Sequence, residues 1–314
     1  MSGIDIAPRP WSGREDGVGP EHLRWHAAVT PLTADSEPGA CVLVGFRSDE
    51  GVRRNQGRPG AVRGPVAARH ALSSLALAEP LRILDAGDIA VRDGDLEDAQ
   101  RRLGVVIAGL LDAGHFVTVL GGGHEVAYGS YLGIAGSSLL DSGARLGVLN
   151  LDAHFDLRAD PVASSGTPFR QIADSEAERG RSLRYAVLGI AQPSNTPALF
   201  GQAASVGARF LLDEECTAAK LPAVESFVHE FLGAVDVVHL SIDLDVLPAA
   251  IAPGVSAPAG FGVPVEVIAG VCETVARSGA LAVLDVAELN PRFDYDNRTA
   301  LTAARLIHHV VSAR

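Results

Sequence analysis

Eight short apolar runs rich in Val, Ile and Leu recur along the chain, at 41–46, 81–84, 116–120, 146–151, 185–190, 209–212, 237–242 and 281–286. Most do not alternate apolar with polar residues, which is how strands buried on both faces of a parallel sheet read. Between them lie stretches of helical character at 64–77, 96–113, 221–232, 265–278 and 298–310. Strand and helix in steady rotation imply βαβ crossovers and an α/β class with a mostly parallel sheet. Eight strands suit either an open three-layer αβα sandwich or a closed barrel, and periodicity alone leaves both open. The first 38 residues are different: rich in Pro, Gly and charge, they hold both tryptophans, Trp11 and Trp25. They read as an arm, 1–38, lying on a large domain at 39–314.

Composition narrows the class. With 314 residues, 47% of them hydrophobic, the chain can bury a large core. Lys and Arg number 26 against 38 Asp and Glu, a net charge of −12 that repels nucleic acid and anionic membranes. Cys41, Cys216 and Cys272 are scattered and odd in number, which argues against a disulfide framework or a thiolate zinc cage. The chain shows no secretory h-region and no apolar stretch of membrane-spanning length, so a cytoplasmic protein is expected.

The informative residues sit after four of the runs: Gly121-Gly122-Gly123-His124-Glu125, Asp152-Ala153-His154-Phe155-Asp156, Asp243-Leu244-Asp245 and Glu288. Parallel α/β sheets bind ligands outside the carboxyl ends of their strands. Singly, each piece has an ordinary reading. Gly-Gly-Gly can be a turn needing positive φ, Asp152 a helix cap, and His239 a hydrogen-bonded core histidine. Together they are harder to dismiss. In extended chain, a period of two aims the three polar side chains of Asp-x-His-x-Asp to one side. With His124, two histidines and four aspartates then meet at one edge. Four neighbouring carboxylates demand counter-charge, and two divalent ions match it. Oxygen and imidazole ligands without thiolate suit Mn²⁺ or a similar ion. Six ligands fit a bridged pair, as in binuclear hydrolases.

These motifs, with Ser-Ile-Asp-Leu-Asp at 241–245 and Glu-Leu-Asn-Pro at 288–291, resemble the ureohydrolase (arginase, agmatinase) superfamily over nearly the whole chain. The resemblance implies an eight-stranded αβα sandwich and two Mn²⁺ per chain. One would be held by His124, Asp152, Asp156 and Asp243, the other by Asp152, His154, Asp243 and Asp245, with Asp152 and Asp243 bridging. Homo-oligomers are common in the family. Arginases carry a histidine, thought to shuttle protons, where this chain has Phe169. The segments at 164–169, 192–196 and 252–259 and the Trp11 and Trp25 arm are similar to the formimidoylglutamase branch. That branch, in histidine catabolism, hydrolyses N-formimidoyl-L-glutamate to L-glutamate and formamide.

On this reading Asp156, His154 and Glu288 are the candidate catalytic residues. Asp156 would take a proton from the attacking water and pass it to the leaving amine. Glu288 would pair with the amidinium through two N–H···O bonds. Arg158 is the first candidate for a substrate carboxylate and Asn195 the second, with the basic loop Arg53, Arg54, Arg58 and Arg63 as a further source of cations. The rival readings are a ureohydrolase acting on a guanidino substrate such as agmatine or guanidinobutyrate, and a non-catalytic module of the same fold. Arg158 disfavours a cationic substrate tail. Six costly polar side chains kept together disfavour loss of catalysis.

Overall fold

The computed structural model describes residues 3–314. Its strands are β1 (Val29–Pro31), β2 (Cys41–Arg47), β3 (Ile83–Ala90), β4 (Phe116–Leu120), β5 (Leu146–Leu151), β6 (Arg184–Ile190), β7 (Arg209–Leu212), β8 (Val237–Asp243) and β9 (Leu281–Ala287). They form one sheet in the order β1-β3-β2-β4-β9-β8-β5-β6-β7, every neighbouring pair parallel. Two free edges, β1 and β7, make it an open sheet and exclude the barrel.

Seven of the nine strands match apolar runs to within a residue at either end, and β3 overlaps its run, 81–84, only at Ile83 and Leu84. The ninth, β1, lies inside the arm. Three residues long and ending in Pro31, with only Val29 buried, it offers no period to read; an edge strand tolerates proline because one side needs no ladder hydrogen bond. The third strand is also longer than its apolar run, continuing through Asp85 and Asp88. Those two carboxylates are tolerated inside because Arg69 binds both, at 2.8 Å and 2.5 Å.

The helices are α1 (Trp25–Ala28), α2 (Glu50–Arg54), α3 (Gly64–Ser73), α4 (Leu96–Asp112), α5 (Val126–Ala135), α6 (Pro168–Glu178), α7 (Pro197–Ser205), α8 (Leu221–Gly233), α9 (Val265–Arg277) and α10 (Arg298–Ala313). Local chemistry sets their starts. The Asp95 carboxylate accepts the Asp98 amide at 3.0 Å to open α4, and Pro168 and Pro197 occupy the first turns of α6 and α7. Strand residues feed two separate apolar cores: Cys41 and Leu43 face α3, α8, α9 and α10, whereas Val42, Val44 and Phe46 face α4 to α7. That is a three-layer αβα sandwich. No helix of the described residues is long and apolar enough to cross a membrane. All three cysteines are buried and free.

The arm is stitched into the first core. Trp25 is fully buried and donates its indole N–H to His308 on α10 at 2.9 Å, and Trp11 stacks on it at 6.5 Å. Truncating a buried indole removes apolar contact and leaves a cavity. Trp25→Ala should therefore lower unfolding free energy by about 3–5 kcal/mol in a urea titration; a loss below about 1 kcal/mol would mean the arm is only loosely attached.

Candidate metal centre

β4, β9, β8 and β5 are consecutive in the middle of the sheet, and their carboxyl ends carry all the motifs. His124 follows β4, Asp152 follows β5, Asp243 ends β8 and Glu288 follows β9. Convergence of residues distant in sequence is thus a consequence of strand order.

The side chains form two overlapping cages. In the first, His124 Nδ1 lies 3.2 Å from Asp152, 2.9 Å from Asp156 and 3.1 Å from Asp243 carboxylate oxygens. In the second, His154 Nδ1 lies 3.5 Å from Asp152 and 3.1 Å from Asp245. Asp152 belongs to both cages, with one oxygen toward each histidine; Asp243 groups with the first alone. Although three carboxylates surround it, buried His124 Nδ1 makes no hydrogen bond of acceptable geometry. Ligands at right angles about 2.1 Å from a shared octahedral cation stand about 3.0 Å apart. The orphaned nitrogen and the spacing of its neighbours fit a cation better than a proton. No thiolate is present in either cage, in keeping with Mn²⁺.

The local route to this geometry differs from the extended-chain expectation. β5 ends at Leu151, the chain bends at Ala153 and His154, and Asp156 sits in the left-handed region at φ 47°. Each leading aspartate folds its own loop instead. Asp152 accepts the His154 amide at 2.6 Å and Asp243 the Asp245 amide at 2.9 Å, an Asx-type turn in both motifs. Nor do Gly121, Gly122 and Gly123 adopt positive φ. A Cβ on Gly122 would stand 1.9 Å from the Ser48 carbonyl, so close approach is the constraint there. Glu288 closes the loop from the other side: its amide donates to Gly122 O at 2.8 Å and its Oε1 accepts the His124 amide at 3.0 Å. One Glu288 oxygen is therefore already engaged, and buried Oε2 has no partner.

Asn195 is occupied elsewhere. Its Nδ2 donates to Ala153 O and Ala191 O at 2.9 Å each, and its Oδ1 accepts the Phe155 amide at 3.1 Å. It clamps the metal-ligand loop, and no donor remains for a substrate carboxylate. Three arginines of the basic loop are likewise spent: Arg53 on Glu50, Arg54 on Glu50 and Glu97, Arg58 on the carbonyls of Val255 and Ser256. Arg158 is exposed two residues after Asp156, its stem packed over Gly166. Phe169 is buried, its ring edge-on to His124 at 5.2 Å, so no proton shuttle stands there.

Behind His124 lies a chain that the motif reading left incomplete. His124 Nε2 meets Ser241 Oγ at 2.9 Å, Ser241 donates to Asp285 at 2.5 Å, and Asp285 meets His239 at 2.5 Å. His239 is the hydrogen-bonded core histidine expected from its position. The signal for the others was polar residues inside buried strands that are otherwise apolar apart from His239 and Asp243, paired in register as Ser241 with Asp285.

A parallel αβα sheet carrying paired imidazole and carboxylate cages at its carboxyl edge defines a class of metal-binding enzyme fold. The chain belongs to the arginase family, whose profile matches residues 39–312. Formimidoylglutamase of Rhodococcus opacus (strain B4) is 63% identical over 314 residues, covering 100% of this chain and 98% of that one. The Chromobacterium violaceum formimidoylglutamase is 49% identical over 297 residues, covering 94% and 95%. Trypanosoma cruzi formiminoglutamase, solved with a Mn²⁺ pair, superposes with a TM-score of 0.80 at 27% identity over 93% of this chain and 98% of that one. Bacillus subtilis formimidoylglutamase shares the fold, with a TM-score of 0.81 at 21% identity over 96% and 93%.

Without a cation, protons carry the counter-charge. Burial, aided by the Asp152 charge, pushes the Asp156 carboxyl up to about 6. Burial and the charges of Asp245 and Asp152 raise Asp243 well above the usual carboxylate range. Burial disfavours charged imidazoles, yet the surrounding carboxylates outweigh it and hold His124 and His154 protonated well above their ordinary 6.5. A cation must displace these protons, so Mn²⁺ affinity should rise as pH rises through about 6 and beyond. Calorimetry in two buffers of different protonation enthalpy should record proton release on binding. Affinity independent of pH from about pH 5 to 8, with no proton released, would contradict this arrangement.

Proposed function

We propose that this chain hydrolyses N-formimidoyl-L-glutamate to L-glutamate and formamide, a step of histidine degradation, at a centre holding two Mn²⁺ per chain. His124, Asp152, Asp156 and Asp243 would hold one ion, and Asp152, His154, Asp243 and Asp245 the other. Residues 39–314 would carry the chemistry, with 1–38 as the arm and a cytoplasmic homo-oligomer as the working form. The observation that carries the substrate reading is a complementary pair of groups beside the cage motifs: the unpartnered Glu288 Oε2 and the exposed Arg158 on the ligand loop. A substrate cationic at its amidine and anionic at its far end matches both. Full-length similarity to formimidoylglutamases supports the same choice.

Two divalent ions held by these residues would supply the charge that keeps the aspartates ionised and would lower the pKa of water into the neutral range. The protein's own groups do the rest. Glu288 accepts an amidinium N–H at Oε2, which fixes the formimidoyl carbon over the cages. Asp156 receives the proton of the attacking water and returns it to the glutamate nitrogen as the C–N bond breaks. Arg158 binds a glutamyl carboxylate and sets the orientation of the tail.

A substrate panel scored by product tests the assignment. Formamide should form from the formimidoyl substrate, with arginine, agmatine and guanidinobutyrate turned over far more weakly. Robust hydrolysis of a guanidino compound without formamide production would overturn the substrate and leave the fold untouched. Arg158→Ala should cost kcat/KM roughly 10- to 150-fold, the worth of a charge-assisted hydrogen bond of about 1.5–3 kcal/mol.

Asp156→Asn keeps shape and removes the proton acceptor. In protein with measured full metal occupancy, kcat should fall at least ~10²-fold. Near-normal kcat in the fully loaded variant would reject the role.

A further inference from the structure

A cavity of about 820 Å³ opens beside the sheet and shares no lining residue with either cage. It is bounded by arm residues 6–13, the side of α3, the ends of β2 and β3, and the start of α10. The arm is fixed over it by backbone pairing of Ile6 with Asp88, at 3.0 Å and 2.8 Å, and by the Trp11 indole donating to Asp85 at 2.9 Å. This is a built chamber, with a volume in the range of small-molecule sites, about 300–1,000 Å³.

Its lining is amphipathic. Trp11, Val66 and Leu301 supply apolar surface, and Val66 and Leu301 remain 51% and 48% exposed. The charges do not balance. Arg69 is held by Asp85 and Asp88, and Arg47 stands 3.8 Å from Asp88, so these two cations answer the two carboxylates. Arg9 and Arg63 also line the cavity, and neither pairs with a carboxylate among the described residues. Two unpaired guanidiniums, both solvent-exposed, thus stand at the rim of an apolar concavity in a chain whose net charge is −12. Guanidinium is the side chain best shaped for carboxylate, sulfonate or phosphate oxygens, and apolar walls select for an apolar body.

We propose that this cavity binds an amphipathic organic anion, its acidic group between Arg9 and Arg63 and its flat apolar part against Trp11, Val66 and Leu301. The inference is independent of the reaction at the metal centre. The charge requirement separates it from general stickiness, and the concave, ligand-sized shape separates it from a flat subunit contact.

The test uses the full-length, Mn²⁺-loaded protein and the fluorescent sulfonate 8-anilinonaphthalene-1-sulfonate. Binding should saturate at one dye per chain, and the uncharged analogue N-phenyl-1-naphthylamine should bind at least ~10-fold more weakly. The double substitution Arg9→Ala with Arg63→Ala should weaken the sulfonate by a similar factor. Val66→Trp, which places a bulky ring at the apolar wall, should weaken sulfonate binding at least ~10-fold and keep wild-type turnover at the metal centre. Equal binding of the neutral analogue would overturn the proposal, as would undiminished sulfonate binding in the double variant or in Val66→Trp. So would a wild-type oligomer that takes up no dye and dissociates in sedimentation on Arg63→Glu, since the groove would then belong to a second copy of the chain.

Discussion

Four aspartates brought within reach of two imidazoles at one sheet edge are the constraint on which the rest of the structure depends. Like charges so close are unfavourable unless something positive sits among them. The neighbourhood therefore serves to hold ligands against their own repulsion. Asp152 and Asp243 are each tied by an amide two residues on, Asp152 also accepts Asn150 Nδ2 at 2.9 Å, and Asn195 clamps the loop between Asp152 and Asp156. Glu288 and Ser48 fix the glycine loop that presents His124. The strain this entails is visible in the backbone: Asp156 and Glu288, one a cage residue and one beside it, both sit at positive φ, 47° and 66°. Such conformations persist where surrounding contacts over-determine them, as they do here.

The fold was largely legible because burial on both faces writes itself into composition. A central parallel strand has no polar side, so its residues form a continuous apolar run. Legibility failed where that condition lapsed. β1 is an edge strand with two exposed residues, and β3 carries Asp85 and Asp88 because Arg69, from a different element, neutralises them. Neither the edge nor the distant partner is visible in a local pattern.

The site divides the same way. All six cage residues stand in short motifs after strands, and the sequence could locate them because metal-ligand chemistry restricts residue type. What motif spacing could not reveal is the use to which other polar groups are already put. Asn195 and Arg58 look available in sequence; in space their donors are spent on backbone carbonyls. Conversely, Arg53 and Arg54 share Glu50 one helical turn before them, a pairing that the spacing itself offers, whereas Arg158 and Arg63 have no carboxylate partner among the described residues.

The chain from His124 through Ser241 and Asp285 to His239 shows why the interior behind the cages is polar at all. A histidine that offers Nδ1 to a cation must keep its proton on Nε2, and a hydrogen-bond acceptor there selects that tautomer. Ser241 can accept from Nε2 only if its own hydroxyl proton points elsewhere, and Asp285 takes it at 2.5 Å. Asp285 in turn must stay ionised. Burial opposes that, but the His239 imidazole and the Ser241 hydroxyl outweigh it and hold the carboxyl below its usual range. One buried histidine thus stabilises the charge of a carboxylate that orients a serine, which leaves the other histidine's Nδ1 free. The arrangement spans β8 and β9 in register, Ser241 opposite Asp285. A slip of one residue between those strands would turn these side chains to the opposite face and release the tautomer. The register of two central strands and the ligand geometry of the metal centre are therefore one constraint, set by the same hydrogen bonds.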